Sequence, residues 1–180
     1  VVRLVRNETD RSDDVLFWDP YKNILDIEAA GPIDAVINLN GVDISRGRWT
    51  EKQRKVILDS RTTPTRVLVE KIKNMARPPA VFISASAIGF YQACGSRRLT
   101  EADALGTSFI SKVCKHWEEA SLGLSNAGVR TVQMRTGVVL TPAGGALERM
   151  VFPFSLGLGT RLSHGKQYMS WISMDDILSS

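Results

Sequence analysis

Short strand-length runs separated by stretches of helical length constrain this sequence more than any other feature. Ala35-Val36-Ile37-Asn38-Leu39 and Ala80-Val81-Phe82-Ile83-Ser84 are nearly continuous apolar runs, and Val129 to Met134 reads as another strand. Runs of this kind, bounded by turn residues such as Asn40-Gly41, are the pattern of strands buried on both faces of a parallel sheet. Between the first two, Trp49, Val56, Leu58, Val67, Leu68, Val69 and Ile72 recur among Lys, Arg and Glu. That spacing predicts a helix, with Thr50 as its N-cap and Pro64 expected to kink or divide it. Between the second and third, Phe109, Val113, Cys114, Trp117 and Ala120 predict a helix over Gly106 to Leu122. Strands alternating with such helices imply βαβ units and a parallel α/β sheet.

The remaining segments fit the same plan. Val1 to Val5 reads as a strand, Asn7 to Asp14 as a polar loop, and Val15 to Trp18 as a second strand stopped by Asp19-Pro20. Ser125 to Gly128 is a loop, and Arg135 to Leu140 is expected to extend the strand that precedes it. Ala146 to Phe152 is expected to be helical, Gly157-Leu158-Gly159 closes it, and Met169 to Ile172 is the last strand. No repeat or internal linker is visible, so residues 1–180 read as one domain. The chain opens on a strand without an initiator Met and closes just after an apolar segment, so both ends are expected to be cuts.

Composition narrows the partners. The 180 residues are 43% hydrophobic and 23% charged, which excludes disordered and collagen-like classes. No run approaches the roughly 18 to 20 apolar residues of a spanning helix, so no membrane partner is expected. The net charge of +4 comes from Lys and Arg scattered among carboxylates, which favours a solvated surface over a nucleic-acid face. Cys94 and Cys114 show neither CxxC nor metal-ligand spacing and read as reduced thiols of a cytoplasmic protein. With His116 and His164 far apart in the chain, no metal site is expected.

Parallel sheets bind ligands beyond the carboxyl ends of their strands, so residues just after each run are the site candidates. Arg6 follows the first strand, where an acidic residue would accept from ribose hydroxyls and an arginine would pair with a 2′-phosphate; a plain surface arginine is the alternative. Asn38 to Gly41 either lines a cofactor's ribose or is an ordinary strand-ending turn. Arg61, on the following helix, either reaches back towards a phosphate or is solvated. Ser84 to Tyr91 either offers serine hydroxyls to a substrate oxygen or is a tightly packed loop.

Taken in order, these segments resemble the epimerase family proteins of the extended, atypical short-chain dehydrogenase/reductase superfamily. The motifs that carry the resemblance are Asn38-Leu39-Asn40-Gly41, Arg48-Trp49-Thr50 with Asp59-Ser60-Arg61, Ser84 to Tyr91, and Arg135 to Leu140. Gly144-Gly145-Ala146, Pro153-Phe154 with Gly157 to Gly159, and Trp171-Ile172 with Asp175-Asp176 complete them. The resemblance implies a Rossmann-like, doubly wound parallel sheet that binds NADP(H). Carried onto matching positions, it places cofactor contacts at Val5, Arg6, Leu39, Asn40, Arg61 and Val139. It also implies that a first strand with a glycine-rich, phosphate-receiving turn precedes Val1, and that most of a substrate lobe follows Asp176. The chain alone is therefore expected to bind cofactor poorly.

The superfamily's Tyr-x-x-x-Lys pair would fall on the helix over Ser108 to Glu119. There the matching positions carry Ile110 and Cys114, or Phe109 and Val113 in the other register. Ser86 and Tyr91 are then the candidate catalytic groups. Two functions follow: an NADP-dependent oxidoreductase or epimerase-like enzyme acting on a small carbonyl, hydroxyl or sugar-nucleotide-like substrate, or a non-catalytic NADP(H)-binding sensor.

Overall fold

Parallel pairing organises the chain, in three separate sheets rather than one. The structure, a computed structural model, describes residues 1–6, 12, 14–45, 47–161 and 164–180. β1 (Arg3–Val5) pairs with β2 (Val15–Phe17). β3 (Ala35–Asn38), β4 (Val81–Ala87) and β5 (Arg130–Thr136) form a second sheet in that order. β6 (Val138–Thr141) pairs with β7 (Trp171–Ser173). α1 (Glu51–Lys73) joins β3 to β4, and α2 (Phe109–Glu119) joins β4 to β5. α3 (Gly145–Ser155) and α4 (Met174–Ser179) pack on β6. Of the polar stretch read as a loop, Asn7 to Arg11 and Asp13 lie outside the described residues. No helix among the described residues is long and apolar enough to cross a membrane.

The core forms under α1, whose Leu68, Val69 and Ile72 meet Phe82 of β4, Leu124, Val129 and the Trp18–Ile27 segment. Each such side chain contributes about 1.5–3 kcal/mol on burial. Thr50 caps α1, its hydroxyl accepting from the Gln53 amide at 3.2 Å. Pro64 does not divide this helix. A proline removes one i→i−4 bond, and hydroxyls on both sides serve neighbouring carbonyls: Thr62 donates to Leu58 at 3.1 Å and Thr65 to Arg61 at 2.6 Å.

Other expectations shift at their edges. α2 is shorter than Gly106–Leu122, because Ser108 caps it by accepting from the Ser111 amide. A 3₁₀ turn over Leu122–Ala127 follows where a loop is expected. The helix expected over Ala146 to Phe152 extends to Gly145–Ser155. The last strand starts at Trp171, not Met169. The strand read through Arg135 to Leu140 breaks at Gly137, and β6 leaves the sheet to pair with β7. A Cβ at Gly137 would fall 2.9 Å from the Ser170 carbonyl oxygen, so this close crossing needs glycine.

β3 is the largest departure. It reads as a strand buried on both faces, yet Ile37 is 63% and Leu39 74% exposed. Its ladder partner among the described residues is β4 alone, and a cavity of about 950 Å³ lies between its other edge and β1.

Candidate functional site

Alternate residues of β4 face the helices, so Phe82, Ser84 and Ser86 are buried while their neighbours are half-buried. Polarity rises along this face towards the carboxyl end of the strand. Parallel register sets Asn38 of β3 beside Ser84, and Arg135 of β5 beside Ser86. Registered residues share a face of the sheet, so a row of polar side chains crosses the strand ends. Asn38 donates from Nδ2 to Thr65 Oγ1 at 2.8 Å and to Ser84 Oγ at 3.1 Å. Its Oδ1 accepts from the backbone amide and the side-chain amide of Asn40.

α2 brings a carboxylate to the same face. Ser111, Cys114 and Glu118 are spaced i, i+3 and i+7, one side of a helix. Ser111 Oγ donates to the Gly89 carbonyl at 2.9 Å, and Cys114 Sγ lies 3.7 Å from the Ala87 carbonyl. A Cβ at Gly89 would stand 2.3 Å from Ile110 Cγ2, so the approach of α2 requires glycine here. One turn on, Glu118 accepts from Ser86 Oγ at 2.6 Å and from Arg135 through both Nε and Nη2 at 2.8 Å. The Glu118 and Arg135 side chains are only 12% and 19% exposed, and this two-pronged geometry is the strong form of the ion pair.

Arg135 also holds Tyr91. Its Nη1 donates to the Tyr91 hydroxyl at 2.8 Å, and its guanidinium lies 3.5 Å from the centre of the Phe90 ring. The bonds to Glu118 and then Tyr91, outweighing burial, raise the guanidinium above its ordinary value, so it keeps its proton. Ser86 and Tyr91, the two sequence candidates for chemistry, are therefore the ends of one hydrogen-bonded chain. Their positions differ. Tyr91 lines a cavity of about 1230 Å³ together with Arg135, Arg98, His164, Lys166 and Tyr168. Ser86 is 5% exposed, and its proton is engaged by Glu118.

The cofactor candidates divide in the same way. Val5, Leu39 and Asn40 line the 950 Å³ cavity between β1 and β3. Arg6, next to Val5, is exposed, with its guanidinium 5.5 Å from the centre of the Tyr21 ring. Arg61 turns inward: Nη1 donates to the Ile57 carbonyl at 3.0 Å and Nη2 to the Val42 carbonyl at 3.1 Å, above Trp117. Burial lowers its guanidinium below the ordinary value. Val139 lies in the β6–β7 sheet, paired with Ile172. His116 is exposed and meets Glu119 at 3.1 Å; Ser163, beside His164, lies outside the described residues. Among the described residues no group of three or more His, Cys, Asp or Glu could hold a metal ion.

Glu118 is absent from the sequence-derived candidates, and Arg135 enters them only as the first residue of the strand-end segment Arg135 to Leu140, with no role of its own. A signal for them exists: Glu118 is a carboxylate on the helix side that carries Ser111 and Cys114, and such a group needs a cation opposite it.

No protein-family model matches the chain. The epimerase family protein of Mycobacterium bovis is 44% identical to it over 176 residues, 98% of this chain and 58% of that protein. The chain is a homologue of the epimerase family proteins. It spans little more than half the length of that relative. Among solved structures, the human epimerase family protein SDR39U1 (isoform2), crystallised with NADPH, matches 98% of this chain and 58% of its own. That match has a TM-score of 0.83 and 30% identity. A nucleoside-diphosphate sugar epimerase from Corynebacterium glutamicum matches 98% of this chain and 36% of its own, with a TM-score of 0.81 and 33% identity. The fold seen here is thus Rossmann-like α/β, as in those relatives, with its candidate groups at the carboxyl ends of the strands where such folds place ligands.

Proposed function

We propose that residues 1–180 are the greater part of an NADP(H)-binding Rossmann domain of an oxidoreductase or epimerase-like enzyme. Its substrate is a small carbonyl, hydroxyl or sugar-nucleotide-like molecule, and its partners include neither nucleic acid nor membrane. One observation carries the reading: the Tyr91 hydroxyl, held by Arg135, stands on the rim of the 1230 Å³ cavity. The NADPH in the solved human relative supports the choice of cofactor. The free thiols of Cys94 and Cys114 suit a reducing, cytoplasmic compartment.

The residues present fit a phosphorylated dinucleotide. Arg6 offers an exposed guanidinium for a phosphate. Asn40 has its amide nitrogens tied to Asn38, which fixes the side chain so that its Oδ1 can accept from a ribose hydroxyl. Leu39, 74% exposed, offers an apolar face to a ring. Val5 contributes backbone beside Arg6, whereas Val139, paired with Ile172 in the β6–β7 sheet, lines neither of the two cavities. Arg61 supports the cofactor indirectly, by fixing the turn at Val42. When bound, a reduced nicotinamide supplies hydride. Tyr91 would hold its phenolic proton at the cavity face and pass it to the substrate oxygen. Ser86 holds Glu118, and through it the chain that ends at Tyr91.

The test is NADPH oxidation by the full-length protein over a panel of aldehydes, ketones and nucleotide-linked sugars. Turnover that falls by about 10² in Tyr91→Phe, and less in Ser86→Ala, supports the enzyme. Tight NADPH binding without turnover across the panel would replace it with the non-catalytic sensor.

A further inference from the structure

We propose that Arg135 is the positioning residue for the proton transfer of Tyr91, and that Glu118 is what makes it rigid enough for that task. The inference rests on the reading of Tyr91 as the proton donor.

A phenol has one hydrogen and two lone pairs. With Arg135 Nη1–H directed at the oxygen from 2.8 Å, one lone pair is taken and the hydroxyl hydrogen must point elsewhere. Tyr91 lines the large cavity, so that side is open to a substrate oxygen. The same Nη1–H remains on the oxygen after the proton has gone, where it stabilises the charge left behind. A donor preorganised at the place where charge develops has no reorganisation to undergo during the step. Arginine suits this role because it does not give up its own proton.

Position matters here more than net charge. Glu118 takes Nε and Nη2 in a fork, which offsets most of the positive field at Tyr91. What remains is a directed bond from a group that cannot rotate. The guanidinium is also stacked on Phe90 at 3.5 Å, and Nη1 reaches the Glu101 carbonyl at 3.4 Å. Every nitrogen of the guanidinium is thus engaged. Ser86 fixes the carboxylate by donating to Oε1, the oxygen that also accepts from Arg135 Nε. Proton transfer balances simply: the Tyr91 O–H bond breaks, the proton joins the substrate oxygen whose carbon has received hydride from reduced nicotinamide, and solvent restores the phenol.

Two measurements on the full-length protein test this. The first needs no cofactor: NMR of protein carrying tyrosine labelled at the ζ carbon, with Tyr91 assigned by its loss in Tyr91→Phe. The Tyr91 signal is expected to move in Arg135→Met and to stay in Arg98→Met, a cavity-lining control. Because a lone Glu118 could unfold the first variant, the Glu118→Leu/Arg135→Met pair, which removes both charges, is measured beside it. The second is kinetic, with 4-nitrobenzaldehyde and NADPH. Arg135→Met is expected to lower kcat by about 10² while KM holds, Arg135→Lys to recover part of the loss, and Arg135→Met to cost nothing more in a Tyr91→Phe background. An unmoved Tyr91 signal, or losses that multiply in the double variant, overturns the role of Arg135 and leaves Tyr91 as the acid. Full turnover in Tyr91→Phe, or none in the unaltered protein, overturns the reading of the site itself and this inference with it.

Discussion

Asn38, the last residue of β3, donates to Thr65 in the middle of α1 at 2.8 Å, with both side chains buried. The same amide bridges to Ser84 and props Asn40, so a single side chain ties two strands, one helix and the turn offered to the cofactor. Asn38→Leu keeps the branched shape and removes every one of these bonds. It is expected to cost about 1–3 kcal/mol, read as a lower urea midpoint at unchanged slope, and to weaken NADPH binding. An unchanged midpoint would show that the bridge contributes nothing.

Cys114 gives a pH dependence of defined sign. Burial raises its thiol above the ordinary 9.0, with Glu118 pushing the same way and Arg61 the opposite. A group raised on folding stabilises the native state below its unfolded value and loses that contribution as pH climbs through its folded one. Stability should therefore decline above pH 9.0 more steeply in the wild type than in Cys114→Ala. Parallel curves, measured by urea unfolding across that range, would contradict the burial argument.

Arg6 separates the two nicotinamide cofactors. Arg6→Glu in the full-length protein is expected to weaken NADPH binding by about tenfold or more, roughly 1.4 kcal/mol, and to leave NADH within about twofold, because only the former carries a 2′-phosphate for the guanidinium. Calorimetric titration of both decides it. Equal losses would move Arg6 out of the phosphate site.

The βαβ order was readable because strand-length runs and helical spacing are local signals, and Thr50 announced the start of α1 for the same reason. Burial was less readable. Leu39 carries the residue type of a core strand, and only the pairing of β3 on one edge shows why it lies open. Pro64 looked like a break because a missing amide is visible in the sequence, while the helix continuing through it and the hydroxyl bonds of Thr62 and Thr65 are not. Ser86 and Tyr91 stood out by position, yet what links them did not. The pairing of Glu118 with Arg135 depends on the register that sets Ser86 beside Arg135, and no spacing along the chain encodes that register.

The larger cavity has two walls of different origin. One is the segment after Tyr91; the other is residues 164–170, which lead into β7, a strand whose ladder partner among the described residues is β6 alone. A molecule long enough to touch both walls becomes a strut between them, and each end gains from the anchoring of the other, as linked binding modules do. Fragments that reach one wall only will understate this gain. Screening with small probes should accordingly rank ligands by what they touch, and the step in affinity will come when one of them first spans the gap.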